Sequence, residues 1–206
     1  MTASLPPIVF FPGGRHQPGA LPPLLNARGE DIRGPLTAAA SAARIPLTLA
    51  LACAIAESSL DPRAERWGSL TKEAKAAIAA GDRAGLRENI GRAWADISFG
   101  YGQRIVLYHY SGDRSQTVDN VLSVRDYVFD HPEEDLRRMA EMLEGNLATA
   151  RRGNLAPCDG DELLGALIVY NSGRLAPPED PWWQVWSENV ANYRGALARA
   201  RKLLAG

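Results

Sequence analysis

Apolar positions along the chain fall into blocks separated by proline and glycine, and inside most blocks their spacing is helical. Pro35 suits the first turn of a helix running to about Arg44, and Pro46 opens a second that runs to about Ser58. The second block, Leu47-Thr48-Leu49-Ala50-Leu51-Ala52-Cys53-Ala54-Ile55-Ala56, is apolar almost all round, which predicts a buried central helix. Residues 69–95 predict two short helices, one after a Thr71 cap and one after the stop and cap of Gly81-Asp82. Beyond Pro132 a longer helix opens with Glu133, Glu134 and Asp135 and closes at Arg151-Arg152-Gly153, so both ends complement the helix dipole. Asp161 to Tyr170 sets Leu163, Leu164, Leu167 and Ile168 on one face. A last helix from Asp180-Pro181 carries Val185, Trp186, Val190, Tyr193, Leu197, Leu203 and Leu204 at three- and four-residue steps. No stretch alternates with period two over more than a few residues, so the expected fold class is mainly α.

Residues 1–34 break this pattern. They are dense in Pro and Gly (Pro6-Pro7, Pro12-Gly13-Gly14, Pro18-Gly19, Pro22-Pro23) around one apolar run, Ile8–Phe11, and predict an N-terminal arm or linker with one short strand. Residues 35–206 are then a single domain, for which 206 residues in all suffice without disulfides or metal. The 23 Lys and Arg against 24 Asp and Glu leave a net charge of −1, which provides no basic face for nucleic acid. Apolar runs such as Leu49–Ala56 fall far short of the ~20 residues of a membrane span, and Met1–Pro7 lacks the basic start of a secretory signal. Cys53 and Cys158 are too few for a disulfide framework, and His16, His109 and His131 have no ligand spacing, so no metal or other cofactor is expected.

The candidate chemistry sits at the end of the apolar helix. After ten nearly apolar positions comes Glu57, then Ser58-Ser59-Leu60-Asp61-Pro62, where Asp61-Pro62 turns the chain. A carboxyl at the mouth of an apolar wall is partly desolvated, which favours its neutral form and suits it to act as a general acid. The plainer interpretation is a helix-end Glu hydrogen-bonded to a neighbour.

Further segments bear on that choice. Ile45–Ala52 with Ala56-Glu57-Ser58 and Leu60-Asp61-Pro62-Arg63-Ala64 resembles the opening of the lysozyme-like lytic transglycosylases, the superfamily that includes goose-type lysozymes. Ser98-Phe99-Gly100-Tyr101-Gly102-Gln103 is similar to that family's Gly-Leu-Met-Gln motif, and Phe129-Asp130-His131-Pro132-Glu133 to its Phe-Asp-Pro-Glu helix start with His131 interposed. Leu167–Gly173 resembles the Ala-Tyr-Asn-Ala-Gly motif, and Glu188–Tyr193 the Tyr-bearing terminal helix. The likeness covers roughly residues 36–200, and its specificity comes from five short motifs in the right order.

The resemblance implies a lysozyme-like domain that cleaves the β-1,4 bond between N-acetylmuramic acid and N-acetylglucosamine in peptidoglycan, with Glu57 as catalytic acid and then base. It implies a substrate-binding set of Ser58, Ser98, Gly100, Tyr101, Gln103, Tyr170 and Asn171, in which Gln103 and Gly100 shape the floor and Tyr170 orients Glu57. Taken alone, Tyr170 reads equally as a core residue, Asn171 as a helix cap, and Gly100 and Gly102 as turn residues. Tyr101 and Gly102 stand where the family has Leu and Met, which implies an aromatic beside a gap in one cleft wall. The connection from Arg63 to Ile97 is longer than the family's and predicts a helical flap. Asp96, within it, is a possible second carboxylate that would activate water and make the enzyme a hydrolase, or a turn-capping Asp. Of the tryptophans, Trp67 and Trp94 flank this insertion as cleft-lining candidates, while Trp182, Trp183 and Trp186 suit core packing. With no signal segment and a substrate outside the cytoplasm, a bacteriophage origin is expected: a virion tail component, docked to tail or baseplate proteins by its arm, or a holin-released endolysin. The alternative is a structural virion protein or wall-binding module that keeps the fold without turnover.

Overall fold

The computed structural model describes residues 22–67, 97–105, 118–175 and 183–205. The described chain is mainly α. Helices α1 (Arg33–Ala42) and α2 (Leu47–Ser58) are followed by strands β1 (Glu65–Trp67), β2 (Ile97–Phe99) and β3 (Arg104–Ile105). Then come α3 (Val118–Asp130), α4 (Pro132–Arg152), a 3-10 turn (Ala156–Cys158), α5 (Glu162–Ser172) and α6 (Trp183–Ala205).

Helix α2 is the centre, as its sequence requires. Leu49 to Ala54 have no exposed surface, and the helix packs against α1, α4, α5 and α6. Burying each of its large aliphatic side chains stabilises the fold by roughly 1.5–3 kcal/mol. Facing it are Leu136, Met139 and Leu143 of α4, Leu164, Leu167 and Ile168 of α5, and Val190, Tyr193 and Leu197 of α6. Those of α5 and α6 are positions that the three- and four-residue spacing singles out. Among the described residues, no single helix is long and apolar enough to cross a membrane.

Asp161 caps α5 as its type predicts, accepting from the backbone N–H of Leu163 (2.9 Å) and Leu164 (3.2 Å). It also pairs with Arg201 of α6 at 2.9 Å. Burial alone would raise its carboxyl, but Arg201 and the two N–H groups hold it below the ordinary value. Asp161→Ala is expected to cost about 1 kcal/mol, which thermal unfolding would read as a fall of roughly 2–4 °C. Asp161→Asn, which retains the capping oxygen, should lose less.

Three features depart from expectation. The first is the domain boundary. Of the expected arm, residues 22–34 belong to the core: Leu24 and Ile32 are buried within it, and Ala27 N–H donates to Leu60 O at 3.0 Å. Buried Asn26 donates to Glu30 and to the Tyr101 hydroxyl, at 2.8 and 2.9 Å. The break placed at residue 34 is therefore corrected to lie no later than Pro22. Residues 1–21, with the Ile8–Phe11 run, lie outside the described residues. The second is the antiparallel sheet β1-β2-β3, whose strands of two and three residues are too short to register an alternating pattern. The third is α3, an element the pattern reading leaves out, although Val118, Val121, Val124 and Val128 recur at helical steps. β-Branched valines weaken helix propensity, and that masks the signal. The two helices expected over residues 69–95 lie outside the described residues.

Candidate active site

Helix α2 ends immediately after Glu57 because two consecutive residues, Ser59 and Leu60, take left-handed backbone conformations (φ 54° and 66°). The amides of Ser59 and Leu60 turn back to the carbonyls of Ile55 and Ala54, at 3.0 and 3.1 Å. Such conformations are costly for residues with a Cβ, and burial of the Leu60 side chain offsets the cost. The expected turn at Asp61-Pro62 is real but begins two residues earlier. Asp61 closes it with its side chain, accepting from Arg63 N–H at 2.9 Å. Glu57 is thereby fixed in the last turn of the buried helix, half-buried, with β1 leading away from it.

The Tyr193 hydroxyl donates to Glu57 Oε1 in a short hydrogen bond. Four residues before Tyr193 on the same helix, Asn189 Nδ2 donates to Asn171 Oδ1 at 3.1 Å. Two hydrogen bonds thus tie the ends of α2 and α5, distant in sequence, to the middle of α6. Burial is the largest influence on Glu57 and pushes its carboxyl above the ordinary value, while the Tyr193 hydrogen bond and the charge of Arg66 pull it back. Tyr193, buried beside that carboxyl, is held in its phenol form. Burial likewise keeps Cys53, on the turn of α2 preceding Glu57, as an unreactive thiol. A carboxyl whose neutral form is favoured by burial and which leaves one oxygen unclaimed by Tyr193 can serve as a proton donor.

The residues of the β2–β3 turn form the support of this site rather than its surface. Gly100 (φ 80°) and Gln103 (φ 45°) are both left-handed. Gly100 N–H donates to Ala64 O, and Gln103 Nε2 donates to Ala64 O and Gly100 O, each at 3.0 Å. Ser98 Oγ donates to Gln103 Oε1 at 3.1 Å. The amide of Gln103 is thus spent on holding the turn against the loop after α2. Asp135, buried in the first turn of α4, accepts from Tyr101 N–H at 2.6 Å and secures the other side.

Several expected contacts need correction. Tyr101 is a core residue, 1% exposed, its hydroxyl satisfied by Asn26, so it cannot line a cleft. Ser58 and Ser98 are also buried, and Ser58 Oγ donates back to Ala54 O at 2.8 Å. Gly100 is enclosed, meeting Asp135 and Val128. The gap expected at Gly102 does not exist: Tyr170 Oη donates to Gly102 O at 2.7 Å, and a Cβ on Gly102 would lie 2.6 Å from that hydroxyl. Tyr170 therefore pins the turn, and the tyrosine on Glu57 is Tyr193. Trp67 is buried edge-on against Phe99, centroids 5.2 Å apart, with Nε1 donating to Glu65, so it does not line a cleft either. Asp96, Trp94 and Trp182 lie outside the described residues, as do the side chains of Trp183 and Trp186.

Of the expected set, Glu57 and Asn171 each bond to α6, through Tyr193 and Asn189, while Gln103 and Tyr170 hold the β2–β3 turn. The sequence reading missed Tyr193 and Asn189 as site residues, although both lie in the segment quoted for the terminal helix. Their four-residue spacing sets them on one helix face, which is the signal that would have paired them. Arg66 was also missed. Among the described residues, no group of three or more His, Cys, Asp or Glu side chains is placed to hold a metal ion. No protein-family profile, curated protein or solved structure matches the chain.

Proposed function

We propose that the chain is a lysozyme-like peptidoglycan lytic transglycosylase or muramidase, with Glu57 as its single catalytic acid and base. The observation that carries this reading is the hydrogen bond from Tyr193 to the buried carboxyl of Glu57. Segments quoted separately for their likeness to two motifs of one family supply the two partners of that bond, and burial favours the neutral form of the carboxyl.

In the proposed reaction Glu57 gives its proton to the glycosidic oxygen as the C1–O bond of N-acetylmuramic acid breaks through an oxocarbenium-like state. The resulting carboxylate then removes the proton of that sugar's 6-hydroxyl as O6 closes on C1. The 1,6-anhydro product leaves, and Glu57 holds its proton again. Burial assists the first half by favouring the neutral acid. The Tyr193 hydrogen bond assists the second by stabilising the carboxylate that must wait for the new proton. The glycan strand is the proposed partner, with delivery to the wall in a virion or after holin release, and docking through residues 1–21.

Digestion of purified peptidoglycan followed by mass spectrometry tests this directly. The expected products carry 1,6-anhydro ends and are one water lighter than hydrolysis products. Reducing ends that disappear in Asp96→Asn would assign the hydrolase route instead. Release of no soluble fragments would overturn the enzymatic reading in favour of a wall-binding or structural protein.

A further inference from the structure

We propose that the chain binds a second copy of itself, a groove beside α1 of one copy receiving the C-terminal end of α6 of the next. Two grooves on the described surface differ in charge and share no residue. The first, of about 720 Å³, is lined by Pro35, Ala38 and Ala42 of α1 and by Asp130, His131 and Glu133 at the α3–α4 junction. The second, of about 600 Å³, lies between residues 22–25, Leu60 and the end of α6, which contributes Arg199, Lys202 and Leu203.

Exposed apolar surface gathers at the same two places. Leu25 (53% exposed) and Leu203 (37%) line the second groove, and Tyr127 (41%) stacks on His131 of the first with ring centroids 4.3 Å apart. Among the described residues no other large hydrophobic side chain is left so open. Single exposed leucines need no account, but exposed apolar groups that coincide with grooves mark contact surfaces. The charges divide in the same way. Neighbouring charges on α4 and α6 are answered within the chain: Glu134 pairs with Arg137 at 2.5 Å, Asp159 with Arg194 at 2.5 Å and Asp161 with Arg201 at 2.9 Å. Asp130 and Glu133 at the first groove, and Arg199 and Lys202 at the second, have no ion pair or side-chain hydrogen bond among the described residues. What is left over is negative at one groove and positive at the other.

A basic peptide answers only the first groove, and an anionic lipid surface only the second. A second copy answers both. Leu25 and Leu203 enter the space above the small Ala38 and Ala42 side chains, which removes apolar surface from water. Arg199 and Lys202 then face Asp130 and Glu133, and that complementarity fixes the register of the contact.

Sedimentation velocity of the full chain over a concentration series tests this without reference to the reaction assigned to Glu57. The wild-type mass is expected to rise above that of the monomer with concentration, and to fall back as NaCl screens the charges. Ala38→Arg puts a cation into the first groove, and Leu203→Arg replaces an apolar contact of the second with one. Both positions are exposed, so neither substitution disturbs the core. Each variant alone is expected to associate at least ~10-fold more weakly than wild type. Mixed in equal amounts, the two regain one contact, between the intact α6 end of the Ala38→Arg chain and the intact α1 groove of the Leu203→Arg chain. A 1:1 complex that grows no further is the expected result. A wild type that stays monomeric at every concentration gives the grooves to another occupant and overturns the proposal. A single variant that associates as wild type does, or a mixture that stays monomeric, overturns it as well.

Discussion

Glu57→Gln is expected to lower peptidoglycan cleavage at least ~10²-fold while making the protein more resistant to heat at neutral pH. Gln keeps an oxygen for the Tyr193 hydroxyl and fits the same space, but has no acidic proton to give. The stability gain follows from the direction of the Glu57 shift. Its folded-state carboxyl is raised, chiefly by burial, above the value in the unfolded chain. Below the unfolded value both states hold the proton and wild type pays no penalty. As pH rises past that value the unfolded chain releases its proton while the folded one retains it, and wild type loses stability until the folded value is passed. The melting temperatures of wild type and variant should therefore converge in acid and separate toward neutral pH, the variant higher. Unchanged cleavage by the variant would remove Glu57 from the mechanism. A variant less stable than wild type at neutral pH would show that the carboxylate is held by more favourable contacts than burial costs.

Gly100→Ala should produce the largest loss of stability of any single methyl group added in this region. A Cβ at position 100 would lie 2.4 Å from Asp135 Oδ2 and 2.6 Å from Val128 Cγ1, on a residue whose φ of 80° disfavours any side chain. Asp135 cannot retreat without releasing the Tyr101 amide that it holds at 2.6 Å. Overpacking and backbone strain together are expected to cost about 2–4 kcal/mol, or about 5–12 °C in thermal unfolding. Gly145→Ala is the matching control. Position 145 lies inside α4 with nothing within 4 Å of its Cβ, so the change should stabilise by about 0.5–1 kcal/mol. If the two substitutions had similar effects, the turn would be less tightly enclosed than described.

The helices were legible because their evidence is local. An all-apolar run from Leu49 to Ala54 has nowhere to go but the interior, and the Asp161 cap and the charged ends of α4 are read from neighbouring residues. Glu57 was legible for the same reason, as a carboxylate ending an apolar run. What sequence could not supply was the direction in which a tyrosine points. Tyr170 and Tyr193 both lie on helices close to α2, and only the packing of α6 on α2 decides which reaches the carboxyl. Ser98, Tyr101 and Gln103 were found as a motif but assigned to the wrong side of the turn. A local pattern marks a turn that must be held, without saying whether its side chains face a ligand or their own neighbours. Residues 22–34 misled because proline and glycine density suggests a linker. Leu24 and Ile32 nonetheless find burial one at a time, with no periodicity to announce it.

β1 and β2 lie side by side although residues 68–96 come between them in sequence. Trp67 pairs with Ile97, so these two residues sit at facing backbone positions, about 5 Å apart as in any antiparallel ladder. A hairpin of two residues can close such a distance, and lengthening the connection adds only about 0.6 kcal/mol for each doubling. The register of Glu65–Trp67 against Ile97–Phe99 therefore requires of the intervening sequence only that its two ends meet. Shortening or lengthening the sequence between Trp67 and Ile97 is therefore expected to leave the pairing of these strands in place.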